Sequence, residues 1–559
     1  MFRKIAFLAC IFLLSSVWSY SQSKAKGKVK NEYFNITFGT KLQLDKEYRP
    51  QRFIARPEGG YLIQSFGKGE KSMGLDVVTE KFEQSASKMH DIRRDYDRRD
   101  EQLVYFGGRA LWVNSSYDSK TKDEKAFLQE INDDNGDLTG DEIQINKTQD
   151  VASGIDVAFS FSFFMGGASG ASMAITQSDR YFYSISPDSS KLLVYYRKKK
   201  VKKSDRVNKD VYGFIVVDDT YKVLWKKETE LAKTEFMMKF YEAEVNNNGD
   251  VYYLAKSYKD DIRKYKKGAK PNYTLSLFEL TKDSKKSKEK AMELPEGFLR
   301  ETEFFINDEG KAVVCGTYGK QYKGTGSSGI FYNIVDMDDR KVSDAKFVDF
   351  ESDLDAEYEG PKHAKKLAKI YKKYGVGYIP NLKFREVFFD EKSKSLYLIL
   401  ESYHLEKRTS NSGRTTTYYY FYDDVYAVKV NTAKQQIDKA FKIPKRQLGI
   451  NIQIDLGISS FMFGENLYVF FIDNKKNLEL KPDMLPAEHR STAGGFLSGV
   501  HVDFEKGDSP QRFLLYDAKV EKKYCDPQKF ITSNGVIYGV GYEKPKGGGP
   551  YYPIKIDFK

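Results

Sequence analysis

Apolar and aromatic positions fall in short runs along this chain, separated by clusters of Gly, Asn and Asp. The clearest case is 301–350. Glu303–Asn307 is apolar and aromatic, Asp308–Gly310 is a turn cluster, and Lys311–Thr317 is a small, β-branched run; after a polar Gly-rich loop, Ile330–Asp336 and Val342–Val348 follow. Runs bounded in this way predict strands joined by hairpins. The same order recurs in Tyr181–Ser186, Leu192–Tyr196, Gly213–Asp218 and Val223–Lys227, and in Phe240–Glu244, Val251–Lys256 and Tyr273–Leu280. It returns in Glu386–Asp390, Ser395–Tyr403, Tyr418–Val430 and Ile437–Ile443, in Ser459–Phe463, Leu467–Ile472 and Arg512–Asp517, and in Lys529–Thr532, Gly535–Tyr542 and Pro553–Asp557. Gln51–Thr79 and Gln102–Ile145 fit more loosely.

One such unit cannot bury its own faces, so the repeat predicts an all-β fold, a single β-propeller of about eight blades (seven to eight), each four-stranded. The last unit ends at Lys559 one strand short, and Tyr33–Leu44 near the start reads as a strand without a partner. Closing the ring removes its edges, so the N-terminal strand is expected to complete the last blade.

Several segments depart from the repeat. Residues 1–21 carry Arg3 and Lys4, an apolar stretch from Ile5 to Leu14 and the small-x-small end Ser19, Tyr20, Ser21. That is the pattern of a signal peptide, and it predicts an extracytoplasmic chain, periplasmic or secreted, with an outer-membrane-associated location left open. Residues 22–50 read as a basic leader plus the closing strand, 51–559 as the propeller, with insertions near 85–100, 150–178, 352–380 and 474–510. The uncharged stretch Val157–Ile175 alternates Phe159, Phe161 and Phe163 with serines before a Gly/Ser-rich half, which fits a half-buried strand and loop better than a membrane span. No transmembrane segment is expected after signal cleavage. Pro361–Tyr374 places Ala364, Leu367, Ala368 and Tyr371 on one helical face, expected to pack on its own domain. Cys315 and Cys525 sit in different units, so the core rather than a disulfide is expected to hold the fold.

Motifs for chemistry are weak. Gly324, Gly326 and Gly329 have dinucleotide-fingerprint spacing but precede a strand. Asp133, Asn135, Asp137 and Asp141 resemble a calcium loop with Leu138 and Gln144 at positions that need Gly and Glu, so a polar hairpin is expected instead. His489 and His501 share the long insertion with Asp503 and Glu505 but lack metal-ligand spacing. No metal site, cofactor or catalytic residue is read from the sequence.

Charge distribution is more telling. In a four-stranded antiparallel blade the loops between strands two and three emerge on one face together with the links to the next blade. Those loops total +15, with +6 in 197–211 and +4 in 258–272, against +12 for the whole chain. Basicity is thus a property of one face. The candidate binding residues are Lys198, Lys199, Lys200, Lys202, Lys203, Arg206, Arg263, Lys264, Lys266 and Lys267, with Tyr258, Tyr265, Tyr318 and Tyr322 interleaved. Such a face attracts anions by summed potential, and tyrosines among bases suit sugars or protein surfaces.

The turn-and-strand run EGKAVVCGTYG (309–319) followed by GIFYNIVDMD (329–338) resembles secreted β-propeller-like repeat proteins of Gram-negative bacteria, many without known function. The resemblance is architectural, lacks the WD40 and kelch signatures, and implies no active site. The expectation is a non-enzymatic extracytoplasmic binding or scaffold protein whose basic, Tyr-rich face engages an anionic partner: an acidic glycan, a lipid phosphate headgroup or an acidic protein. Nucleic acid is not expected as a partner of an exported chain. The alternative is a glycan-active hydrolase or lyase with its site on propeller loops. A central group of carboxylates, or a Tyr and His pair, facing one channel mouth would favour the enzyme, and an uninterrupted basic rim would favour binding.

Overall fold

In a computed structural model the chain forms a ring of eight four-stranded antiparallel blades. The structure describes residues 31–559 apart from 45–47, 68–70, 93–97, 153–179, 261–269, 295–296, 322–323, 338–341, 352–353, 360, 376, 411–414, 483 and 546–547. The signal-peptide reading and most of the 150–178 segment therefore lie outside the described residues.

Blade 1 comprises Arg49–Ala55, Tyr61–Phe66, Met73–Val78 and Gln84–His90. Blades 2 to 7 occupy 99–149, 181–230, 238–292, 298–349, 382–443 and 459–517. Blade 8 is built from Ile531–Ser533, Val536–Lys544 and Gly548–Phe558. Its fourth strand is Phe34–Phe38, which pairs antiparallel from Phe34 opposite Phe558 to Phe38 opposite Ile554. The ring therefore closes as the unpaired N-terminal strand predicted.

The first strand of each blade lies innermost and the middle strands are nearly wholly buried, as in Ala312–Gly319 and Asn466–Asp473. Apolar side chains from facing blades interlock. One cluster joins Phe214 and Trp225 of blade 3 to Phe240, Tyr253 and Phe278 of blade 4, and another joins Phe34 and Ile556 of blade 8 to Phe470 and Phe513 of blade 7. Each interface supplies burial that a lone blade lacks, which is why the repeat must form a ring.

Several sequence boundaries shift. Of the insertion near 85–100, Gln84–His90 is the outer strand of blade 1 and Arg99 already begins blade 2. Its few apolar residues concealed a strand whose outer face meets solvent. The insertion placed at 474–510 contains the third strand of blade 7, Phe496–Asp503, so the true insertion is 474–495, a loop of charge +1. The glycines of the fingerprint-like stretch open no helix; Gly326 and Ser327 pair with Pro380 and Ile379. The polar hairpin near Asn135 forms as expected, with Gly136 at φ 75° in its turn. Pro361–Tyr374 is a helix, and among its described side chains Leu367 is buried while Ala368 and Tyr371 are exposed. Cys315 and Cys525 are both free and buried. Among the described residues no helix is long and apolar enough to cross a membrane.

Candidate functional site: the face of the second-to-third-strand loops

The loop 198–210 of blade 3 is fixed from below. Arg197 is buried and donates to Asp210 at 2.7 Å and to Glu235 at 3.0 Å. Asn208, also buried, accepts from the Lys202 amide, while its own amide bonds the Ser204 carbonyl at 2.9 Å. Glu235 and Phe236 tie the next link to the carbonyls of Asn208 and Asp205. The lysines thus project from an ordered frame, which reduces the ordering cost of any binding.

Within that frame the predicted residues divide. Lys198 pairs with Glu228 at 2.9 Å, and Lys200 pairs with Asp205 at 2.9 Å and Glu235 at 2.6 Å. Lys199, Lys202 and Lys203 are exposed and form no ion pair with a described residue. Arg206 lies over the Phe236 ring at 4.2 Å. Tyr258 is half-buried against the core between blades 4 and 5. Arg263, Lys264, Tyr265, Lys266, Lys267 and Tyr322 lie outside the described residues.

Tyr318 does not belong to a binding surface. It is fully buried in the core of blades 4 and 5 and bonds Asp349. Tyr195 and Tyr196, which also border a basic loop in the sequence, are core residues too. An aromatic residue near a loop boundary reads the same in sequence whether it ends a strand inside or begins a loop outside.

Three features of this face lay outside the predicted set. Ile379 pairs with Ser327 of the blade 5 loop, and Tyr358 donates to Pro482 of the blade 7 loop at 2.7 Å, so the helical insertion between blades 5 and 6 lies on the same side. Its Lys365, Lys366, Lys369 and Lys372 are exposed. Inner-strand cations begin near this side, among them Lys239, Arg300 and Lys383; Arg300 donates to the carbonyls of Gly326 and Gln321. Blade 6 extends two strands, Ser395–Thr409 and Thr416–Asn431, well past its neighbours as a tyrosine-rich arm. The lysine spacing PKHAKKLAKIYKKY carried the first signal, and the unusual length of the Tyr418–Val430 run carried the last.

Carboxylates do gather on the inner strands. Glu242 stands opposite Leu254, Glu303 opposite Cys315 and Glu386 opposite Ile399, the same place in blades 4, 5 and 6. They are enclosed and serve the ring. Glu244 accepts from Ser184 of blade 3 at 2.6 Å, Glu242 from the Phe304 amide of blade 5 at 2.7 Å, and Glu386 from Ser460 of blade 7 at 2.7 Å. Burial pushes Glu244 and Glu386 up to about 8. It also raises Glu242 and Glu303, which repel each other's charge or that of neighbouring glutamates. Below about 8 Glu244 and Glu386 hold their protons in the fold, while unfolded glutamates ionise from about 4.5. Their contribution is therefore complete below that value and lost as pH climbs towards about 8. Thermal melts should show a higher Tm near pH 5 than at pH 8.5, and Glu244→Gln with Glu386→Gln should flatten that slope; an unchanged slope in the double variant would contradict the assignment.

The paired histidines of the long insertion separate. His501 is on a strand, bonded to Asn466 at 2.7 Å and stacked on Tyr468, whereas His489 is buried beside Asp455. Among the described residues two groups of three acids have metal-like proximity. Asp355, Glu359 and Asp424 already surround the Lys442 ammonium, at 3.2 Å each, and Glu58, Asp133 and Asp134 flank Arg56. The opposite face carries a cleft of about 960 Å³ between blades 4 and 5, lined by acids such as Asp250 and Glu279 and by Lys288 and Lys311.

No family model matches the chain, and no curated protein matches it. Among solved structures it is similar to an acylaminoacyl peptidase from Pyrococcus horikoshii, at 8% identity and a TM-score of 0.34, covering 88% of this chain and 58% of that one. It is also similar to the β-propeller domain of the Trilobed protease from Pyrococcus furiosus, at 10% identity and a TM-score of 0.29, covering 74% and 93%. A third is the polysaccharide lyase Uly1, at 11% identity and a TM-score of 0.34, covering 82% and 90%. The chain spans little over half the length of the first of these. The likeness is one of propeller fold alone.

Proposed function

We propose that this chain is an extracytoplasmic binding or scaffold propeller that holds an anionic partner on the face of its second-to-third-strand loops. The observation that carries this reading is the convergence on one side of Lys199, Lys202 and Lys203 on a braced loop with the exposed lysines of the helical insertion. Clustered exposed charge raises the local concentration of anions and speeds their encounter. The apolar N-terminal pattern supports export. The glycan-active enzyme reading has less support, because among the described residues the inner-strand glutamates Glu242, Glu244 and Glu386 are enclosed and bond between blades. Inorganic polyphosphate labelled at one end should bind the protein with an affinity that drops steeply as salt rises, since exposed charges are screened over about 8 Å at physiological ionic strength. Anisotropy titration reads this, and an affinity indifferent to salt would overturn the proposal.

A further inference from the structure

The arm of blade 6 has two faces, and one of them is a graded row of rings and cations. The strands pair Tyr403 with Tyr422, Leu405 with Tyr420, and Lys407 with Tyr418, all on the same side because alternate residues share a face. Successive pairs are spaced about 7 Å along the arm. At its root Tyr403 and Tyr422 lie 4.8 Å apart, with the Arg385 guanidinium 6.0 and 5.7 Å from their centroids and the Lys445 ammonium 5.9 Å from Tyr422. Further out Lys407 stands 6.0 Å from the Tyr418 ring and forms no ion pair with a described residue. Leu405 is 48% exposed and Tyr418 37%.

The row is held rigidly. Gln447–Ile450 adds a third strand along Tyr419–Tyr422, the Tyr422 hydroxyl donates to Gln453 at 2.6 Å, and Tyr418 and Asn451 exchange two hydrogen bonds of 2.9 and 2.8 Å. Beneath it, Glu401 and Lys445 are fully buried and paired at 2.6 Å, and Arg385 shares the same carboxylate. A buried ion pair that fixes a surface row contributes placement more than stability.

We propose that the outer part of this row is a stacking platform for an acidic oligosaccharide, with sugar rings on Tyr420 and Tyr418 beside Leu405 and with Lys407 meeting a carboxylate or sulfate, while buried Tyr422 and the Arg385–Glu401 pair anchor the root. The inference rests on the anion-binding reading of this face and narrows it to one class of partner. Charge complementarity selects the acid. The outer rings select the sugar, because the flat C–H face of a pyranose packs on a tyrosine ring. Free phosphate has no such face, and the apolar strip is a single row rather than the broad patch that a lipid surface or a stable protein partner needs.

The test compares a galacturonic acid hexamer and a sulfated heparin hexamer with two probes that lack sugar rings, inorganic polyphosphate and poly-glutamate, on the full chain. Tyr418→Ala with Tyr420→Ala should weaken at least one hexamer by about tenfold or more, as loss of two ring contacts implies. It should leave polyphosphate and poly-glutamate unchanged and the salt dependence intact. Tyr418→Trp should retain or improve hexamer binding, and Tyr418→Ala alone, at an exposed position, serves if the double variant does not fold. Hexamer affinity that survives both alanine variants, failure of both hexamers to bind wild type, or an equal loss for poly-glutamate would each overturn the platform. Polyphosphate binding that persists in those cases would show that the broader anion-binding reading stands without it.

Discussion

A chain lacking residues 33–44 should fail to melt as one cooperative unit at the temperature of its parent. Phe34 is buried and sits 5.0 Å from Tyr468 and 5.4 Å from Phe470 of blade 7, so this strand joins the last two blades as well as finishing one. Beyond the ladder, the Gly39 and Leu42 amides bond the carbonyls of Pro553 and Tyr551 at 3.0 and 2.8 Å, and Leu42 enters the core shared with blade 1. Deletion would bare the edge of Gly548–Phe558 and empty two interfaces, which invites pairing with other chains. The graded version is Phe34→Ala, expected to cost about 3–5 kcal/mol by denaturant melts, the usual range for emptying a phenylalanine site. A deletion variant that melts like its parent would show that the ring does not depend on this closure.

Replacing Lys442 with methionine should cost about 3–5 kcal/mol, the range found when one partner of a buried ion group is removed. Its side chain is 1% exposed and its ammonium sits 3.2 Å from Asp355, Glu359 and Asp424. Burial works against its charge, yet Asp424, Asp355 and Glu359 hold its pKa above the ordinary lysine value. It also donates to the Glu357 carbonyl at 2.9 Å, so it pins the helical insertion to blade 6. Without it three carboxylates face one another with no counter-charge. Adding Asp355→Asn, Glu359→Gln and Asp424→Asn to the methionine variant should recover much of the loss, and acid should narrow the gap because the carboxyls take up protons. Urea melts of the three proteins decide this; a loss under about 1 kcal/mol would mean that the group is solvated in practice.

Much of the architecture is legible because the strands are short, the turns carry Gly, Asn and Asp, and the strand missing at Lys559 has its counterpart at Phe34. Boundaries failed where alternation weakens. Gln84–His90 is a mostly exposed outer strand with few apolar residues, and Phe496–Asp503 follows a Gly-rich stretch that masks its start. The basic loop of blade 3 was legible as charge, but which lysines remain available was not. Lys198 and Lys200 are engaged by Glu228 and Glu235, which lie about 30 residues away in sequence and become neighbours only when the blade folds. The same holds for the arm. Five consecutive aromatic residues at 418–422 are visible in the sequence, but only the register opposite Tyr403–Lys407 shows which of them share a face.

Whether the loop face is a binding surface is decided by titrating labelled polyphosphate and acidic oligosaccharides into wild type and a Lys199→Glu, Lys202→Glu, Lys203→Glu variant over a range of salt. The three side chains are exposed, so stability should change by no more than about 0.5 kcal/mol. Binding should weaken by about tenfold or more and its dependence on salt should flatten, as removal of a local positive field requires. Reversing Asp219 and Glu309, exposed acids in turns of the opposite face, should leave affinity near that of wild type. If the lysine variant and the acid variant bind alike, the charge of this face serves solubility and the proposed function is wrong.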